Sequence, residues 1–127
     1  MEFCFTGAHW TSCVIDFSKR SISFYDSMST TNGLPFCKIL LEYLDSEHKD
    51  KKESPLPYKS EWSLYGETEC PQQQNGSDCG VFTICIAENV SRSHLAASTQ
   101  GWNFSQKDMK LVRKKIALEI LNGQLFD

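Results

Sequence analysis

Apolar and polar positions alternate early in the chain. His9–Phe17 reads HWTSCVIDF and Ser21–Tyr25 reads SISFY, both rich in β-branched and aromatic residues, with a polar Ser-Lys-Arg link between them. Two such runs joined by a short polar link predict an antiparallel hairpin. The period then lengthens. Over Leu34–His48, Cys37, Leu40, Leu41 and Leu44 recur at helical spacing, and Pro35 suits a first-turn position. Lys49–Glu61 mixes charge with two prolines and reads as an exposed connecting loop. Trp62–Tyr65 (WSLY) alternates as a short strand, whereas Cys79–Val90 (CGVFTICIAENV) is apolar nearly all round and predicts a central, buried helix. A last helix is predicted over Ser105–Gly123, with Met109, Val112, Ile116 and Ile120 on one face. Ser105 and Asp108 are spaced as a capping box, and Gly123 suits the C-terminal stop. Strands and helices are mixed without βαβ alternation, so the expected class is α+β.

Length and composition narrow the picture only modestly. At 127 residues the chain is one domain at most, able to bury a single core. Its formal net charge of −3 argues against a general affinity for nucleic acid or for an anionic membrane surface. No apolar run approaches the ~20 residues of a membrane span. The first residues, MEFCFTGAHW, carry Glu2 and no basic region, unlike a secretory signal. Six cysteines, at 4, 13, 37, 70, 79 and 85, form no C-x-x-C pair and fit neither a zinc finger nor a dense disulfide framework. They read as reduced thiols of a cytosolic or nuclear protein. The N-x-S/T matches at Asn75, Asn89 and Asn103 are then chance matches.

The chemistry gathers in PQQQNGSDCGVF, Pro71–Phe82. A helix that begins near Cys79 aims its unsatisfied first amides at the sulfur and favours the thiolate. Gly76 and Gly80 flank that cysteine and permit a tight turn beside it. Cys13, Cys37 and Cys85 read as ordinary buried thiols, and Cys79 departs from them only if a base lies within reach. Of the three histidines, His48 and His94 sit in polar surroundings that suit surface residues, while His9 opens the hairpin beside Trp10. If the turn pairs Asp16 with Ser21, paired numbers add to 37. His9 then lies opposite Met28, and Asp26 is its diagonal neighbour on the same face, ~7–8 Å away at Cα. A slip of one residue would move Asp26 to the other face. An oxyanion site needs a second donor besides the Cys79 amide, and Gln72, Gln73 and Gln74 all qualify by type; spacing does not choose among them.

These segments together (HW…VIDF…ISFYDSM, CKILLEYL, PQQQNGSDCGVF and NFSQKDMKLVRKKIALEIL) resemble the Ulp/SENP family of SUMO-specific cysteine proteases, with the last helix most like that of animal sentrin-specific proteases one and two. The order His, Asp, Gln, Cys is the family's order. The resemblance implies a papain-like cysteine proteinase fold of the Ulp type, with a mixed sheet packed on a central helix that starts at the nucleophile. Carried over by position, it makes Cys79 the nucleophile, His9 the general base and later acid, and Asp26 the residue that orients His9. It selects Gln73 for the oxyanion hole and sets Trp10 over a narrow channel for the modifier's Gly-Gly tail. It implies no metal and no organic cofactor.

The implied partners are the SUMO precursor and SUMO-conjugated proteins, cleaved after the C-terminal glycine at a peptide or an isopeptide bond. The implied location is nuclear or cytoplasmic, the nucleus favoured. The family's catalytic domain extends well upstream of its histidine, whereas eight residues precede His9 here. The chain is therefore expected to be the C-terminal part of such a domain, lacking the N-terminal part and much of the surface that grips the modifier. Two other readings stand beside this one: a protease for a different ubiquitin-like modifier, such as a deneddylase, and a catalytically silent chain that only binds SUMO.

Overall fold

The computed structural model describes residues 9–96 and 101–126, apart from the side chains of 93–96. The expectations for the first eight residues, Cys4 included, and for the His94 side chain lie outside the described residues.

The hairpin forms as its alternation predicts. Strands β1 (Ser12–Asp16) and β2 (Ser21–Tyr25) pair antiparallel, with Ser12 opposite Tyr25 and Asp16 opposite Ser21. That is the register in which paired numbers add to 37. Strand β3 (Ser63–Tyr65) adds to the far edge of β2 in parallel, giving a mixed sheet in the order β1-β2-β3. Because side chains alternate across a strand, Ile22 and Phe24 of β2 enter one core while Tyr25 enters another on the opposite face.

Helix α1 (Leu34–Lys52) covers the first face with Cys37 and Leu40, which pack against Cys13, Ile22 and Phe24. Its N-terminus comes very close to the sheet. A Cβ on Gly33 would lie 2.0 Å from Cγ of Phe24, so only glycine fits there. The helix runs four residues past the predicted end at His48, into what reads as loop. Two causes carry it onward. Lys49 donates to the Asp45 carboxylate one turn earlier (2.9 Å), and Lys49, Lys51 and Lys52 suit the negative end of the helix dipole. The chain stops at Glu53, in left-handed conformation (φ 56°), just before Ser54-Pro55 makes further helix unfavourable. The same buried Asp45 takes the backbone N–H of Leu56 (2.9 Å) and the Lys59 ammonium (3.1 Å), tying the connection to the helix. Residues Lys59–Glu61 form one 3-10 turn.

The second face carries α2 (Cys79–Ala96) and α3 (Met109–Asn122). The second core joins Val81, Phe82, Cys85 and Ile86 of α2 to Phe104 and Met109, with Val112 and Ile116 of α3 partly buried against it. Complete burial of a side chain the size of Phe82 contributes about 2–3 kcal/mol. Helix α2 extends six residues beyond the predicted Val90, because Arg92 reaches back to Glu88 and Ser91 to the Ala87 carbonyl. Ahead of α3 the Asp108 carboxylate takes the Ser105 N–H (2.8 Å), as the capping-box spacing predicts, and Gly123 closes the helix in left-handed conformation (φ 62°). Two expectations need correction. Ile120 does not join the buried face of α3 and is 75% exposed, and α2 is not covered all round, since Ile84 is 51% exposed. Both border one groove between these helices.

Candidate active site

Strand register brings the first two expected residues together. His9 lies just ahead of β1 and Asp26 directly follows β2, and Nε2 of His9 donates to Oδ1 of Asp26 at 2.6 Å. Asp26 is 7% exposed and its carboxylate is saturated with donors. Oδ1 also takes the Met28 N–H (2.8 Å), while Oδ2 takes those of Thr30 (2.9 Å) and Thr31 (3.0 Å). Burial alone would raise the Asp26 pKa, but hydrogen bonds from His9, Met28 and Thr30 outweigh it and hold the carboxyl below the usual range.

Cys79 opens α2, and the sequence builds that opening. The side-chain oxygen of Asn75 accepts the N–H groups of Ser77 (3.1 Å) and Asp78 (3.0 Å), and the Asp78 carbonyl accepts the Phe82 N–H to start the helix. Neither Gly76 nor Gly80 has a positive φ, so the turn does not call on glycine's left-handed freedom there. The thiol is 5% exposed and lines the groove wall. Burial works against the thiolate, yet the backbone N–H of Trp10, the His9 ring and the Gly80 N–H together bring the Cys79 pKa below its ordinary value. The reciprocal effect appears at His9. Burial would lower its pKa, and Asp26 and Cys79 raise it above the ordinary value. With Nε2 committed to Asp26, the buried Nδ1 has no hydrogen-bond partner and is left for the cysteine. An imidazole between a carboxylate and a thiol whose pKa lies below its ordinary value is the arrangement of a nucleophile with its base.

Trp10 lines the same groove and is 37% exposed. It lies over the helix start, where a Cβ on Gly80 would be 3.6 Å from its Cδ1. Its backbone N–H as a donor to the Cys79 sulfur was not legible in the chain, because it depends on how closely the strand passes the helix terminus. Gln73 sits differently from a ready-made oxyanion donor. Its Nε2 donates to the Asn75 carbonyl (2.6 Å), while its Oε1 accepts from the Ser27 hydroxyl (2.6 Å) and its own N–H binds the Ser27 carbonyl (2.9 Å). Gln72 is turned the other way, its amide donating to the carbonyls of Asp26 (3.2 Å) and Cys70 (3.1 Å). Gln74 has its backbone N–H on the Gln106 side chain.

The groove holds about 730 Å³ and is open, with Trp10, Cys79 and Gly80 at one side and Ile84, Ile116 and Ile120 along its apolar wall. His48 stands far from it in sequence and fold, its Nδ1 on the Ser54 carbonyl (2.7 Å). All five described cysteines are free thiols, and burial pushes those of Cys70 and Cys85 up to about 11. Among the described residues no three His, Cys, Asp or Glu side chains converge to hold a metal ion.

In sequence and in fold the chain is similar to known proteases. Residues 1–124 match the Ulp1 protease family, C-terminal catalytic domain. The chain is 42% identical over 119 residues to sentrin-specific protease 2 of Homo sapiens, covering 92% of this chain and 19% of that protein. It is 39% identical over 121 residues to the sentrin-specific protease of Caenorhabditis elegans, covering 94% of this chain and 16% of that one. The catalytic domain of the Chaetomium thermophilum Ulp1-like SUMO protease superposes with a TM-score of 0.76 at 30% identity, over 98% of this chain and 45% of that one. The C-terminal Ulp1 protease domain in complex with SMT3, the yeast ortholog of SUMO, superposes with a TM-score of 0.71 at 25% identity, over 94% and 49%. The chain thus spans about half of the solved catalytic domains and a much smaller share of the curated relatives. With an α+β fold, a mixed sheet and a central helix that opens on a cysteine, the chain belongs to the Ulp1 protease family.

Proposed function

We propose that the chain is the C-terminal part of a SUMO-specific cysteine protease domain, cleaving after the C-terminal Gly-Gly of the SUMO precursor and of SUMO conjugates. The observation that carries this reading is the 2.6 Å contact of His9 with Asp26 beside a cysteine whose pKa is lowered at a helix start. Membership in a family whose members are named for action on SUMO supplies the substrate class.

In this mechanism His9 takes the proton of the Cys79 thiol, the sulfur attacks the glycine carbonyl carbon, and the carbonyl π electrons move to oxygen. The Cys79 N–H and the Gln73 amide receive the oxyanion, for which Gln73 exchanges the Asn75 carbonyl for the substrate. His9 protonates the leaving amine as the C–N bond breaks, giving a thioester. His9 then takes a proton from water, whose oxygen attacks the thioester, and the thiol and a free carboxylate result. Asp26 keeps the ring oriented and stabilises its cationic form. Trp10 covers the glycine tail, where a side chain on either glycine would clash.

The test is covalent labelling by SUMO with a C-terminal electrophile, comparing the wild-type chain with Cys79→Ala and His9→Ala. Ubiquitin and the neddylation modifier carrying the same electrophile run in parallel. An adduct formed with SUMO and lost in both variants is the expected result. An adduct with the neddylation modifier alone reassigns the substrate. No adduct with any modifier, from a chain shown to be folded, overturns the enzymatic reading in favour of a binding module.

A further inference from the structure

We propose that Arg113 of α3 is a positioning residue for Cys79, acting through the carboxylate of the preceding Asp78. The proposal rests on the reading of Cys79 as nucleophile and adds a charged residue from the helix whose Ile116 and Ile120 wall the groove. Asp78 is 5% exposed and every part of its carboxylate is engaged. Oδ1 accepts from Arg113 through Nε (2.9 Å) and Nη2 (2.5 Å), and Oδ2 accepts from the side-chain amides of Gln106 (2.8 Å) and Asn75 (2.8 Å). The same Nη2 also donates to the Ser77 carbonyl (3.0 Å), so the guanidinium grips side chain and backbone of the two residues before the nucleophile. Those bonds hold the Asp78 carboxyl down to about 2.

Two consequences for Cys79 follow. The guanidinium fixes the turn from which α2 departs, and with it the direction of the thiol. It also neutralises an anion placed one residue from a sulfur that must itself become anionic. Without Arg113, the Asp78 carboxylate opposes ionisation of Cys79, and His9 is the one cation left among the groups that face or flank the thiol (His9, Asp78 and Arg113). Lysine replaces the charge but not the planar fork that reaches both Asp78 and the Ser77 carbonyl.

The experiment is the pH profile of Cys79 alkylation by iodoacetamide, followed site by site with mass spectrometry on the 127-residue chain. It compares wild type, Arg113→Ala, Arg113→Lys and the pair Asp78→Asn with Arg113→Ala, each checked for helicity and melting temperature. Arg113→Ala is expected to move the profile alkaline by about one pH unit, slowing alkylation near neutrality on the order of tenfold. Arg113→Lys should recover part of the shift, and adding Asp78→Asn should return the midpoint towards wild type by removing the opposing anion. A folded Arg113→Ala chain with the wild-type profile overturns the proposal. If Arg113→Ala does not fold, an unshifted Arg113→Lys with wild-type labelling rates overturns it equally. Iodoacetamide needs no modifier, so a shifted profile in a chain that SUMO fails to label sustains the positioning role while the proposed substrate falls.

Discussion

His9 and Asp26 meet at 2.6 Å because the hairpin between them holds the register that pairs Ser12 with Tyr25. A shift of one residue in that register would carry Asp26 to the other face of the sheet. The hairpin is therefore part of the geometry of the candidate site as well as of the fold.

Asp26→Asn tests the electrostatic half of this link. The carboxylate is the largest influence raising the His9 pKa, and His9 in turn helps lower that of Cys79. The variant should return His9 towards its ordinary value, so that less imidazolium faces the thiol near neutral pH. Alkylation of Cys79 should then require more alkaline conditions, with an unchanged midpoint counting against the coupling. The stability signs differ for the two partners. His9, with a raised pKa, contributes stability that is full below its unfolded value near 6.5 and fades as pH rises through the folded value. Asp26, with a depressed pKa, contributes stability that is full above about 4 and is lost as pH falls through its folded value. Urea melts of wild type and Asp26→Asn at pH 3, 5 and 9 should therefore differ most at pH 5.

Gln73 and Ser27 form a second testable unit. With Ser27 fixing both the side-chain oxygen and the backbone N–H of Gln73, the glutamine amide is aimed by a residue adjacent to Asp26. Gln73→Ala should lower kcat by about 10²–10³ with little change in KM, as loss of an oxyanion donor does. Ser27→Ala should lower kcat in the same direction by less. Steady-state cleavage of a SUMO-linked fluorophore separates the two constants, and a change confined to KM would remove Gln73 from the oxyanion site.

Gly33 sets the approach of α1 to the sheet. A methyl group there would lie inside the Phe24 ring, itself 1% exposed and held between strand and helix. Gly33→Ala must push α1 outward or force Phe24 from its place, so a lower melting temperature is expected. A melt equal to wild type would show that the helix start has room to move.

The chain announced the parts of this fold that depend on local pattern. The alternation of HWTSCVIDF and SISFY, the spacing of Cys37, Leu40 and Leu44, and the cap signals at Ser105 and Gly123 each correspond to an element that formed. What it did not announce depends on distant contacts. The ending of α1 at Glu53 rests on Asp45 meeting Lys49 and on the proline at 55, in a run whose mixed charge reads as loop. Ile84 and Ile120 look like core by periodicity, and their exposure is set by which surfaces face each other across the groove. The candidate site divides the same way. Cysteine, histidine and aspartate were legible from type and register, while the Trp10 N–H, the Gln72 tie to the Asp26 carbonyl and the Arg113 fork arise from chain segments distant in sequence.

The last prediction concerns the centre of the second core. Phe82 is fully buried one turn into α2 and meets Phe104 edge-on at 5.7 Å between ring centroids. Truncation to alanine removes the ring from a packed interior and leaves a cavity, at a typical cost of about 3–5 kcal/mol. Because Phe82 also donates its N–H to the Asp78 carbonyl (2.9 Å), the loss falls on the turn that carries Cys79. Phe82→Ala should therefore lower the denaturation midpoint and broaden the reactivity of Cys79 together, whereas Phe24→Ala, a comparable truncation in the other core, should lower the midpoint with a smaller effect on Cys79 alkylation. Equal effects of the two variants on alkylation would mean that the two cores act on the site as one unit.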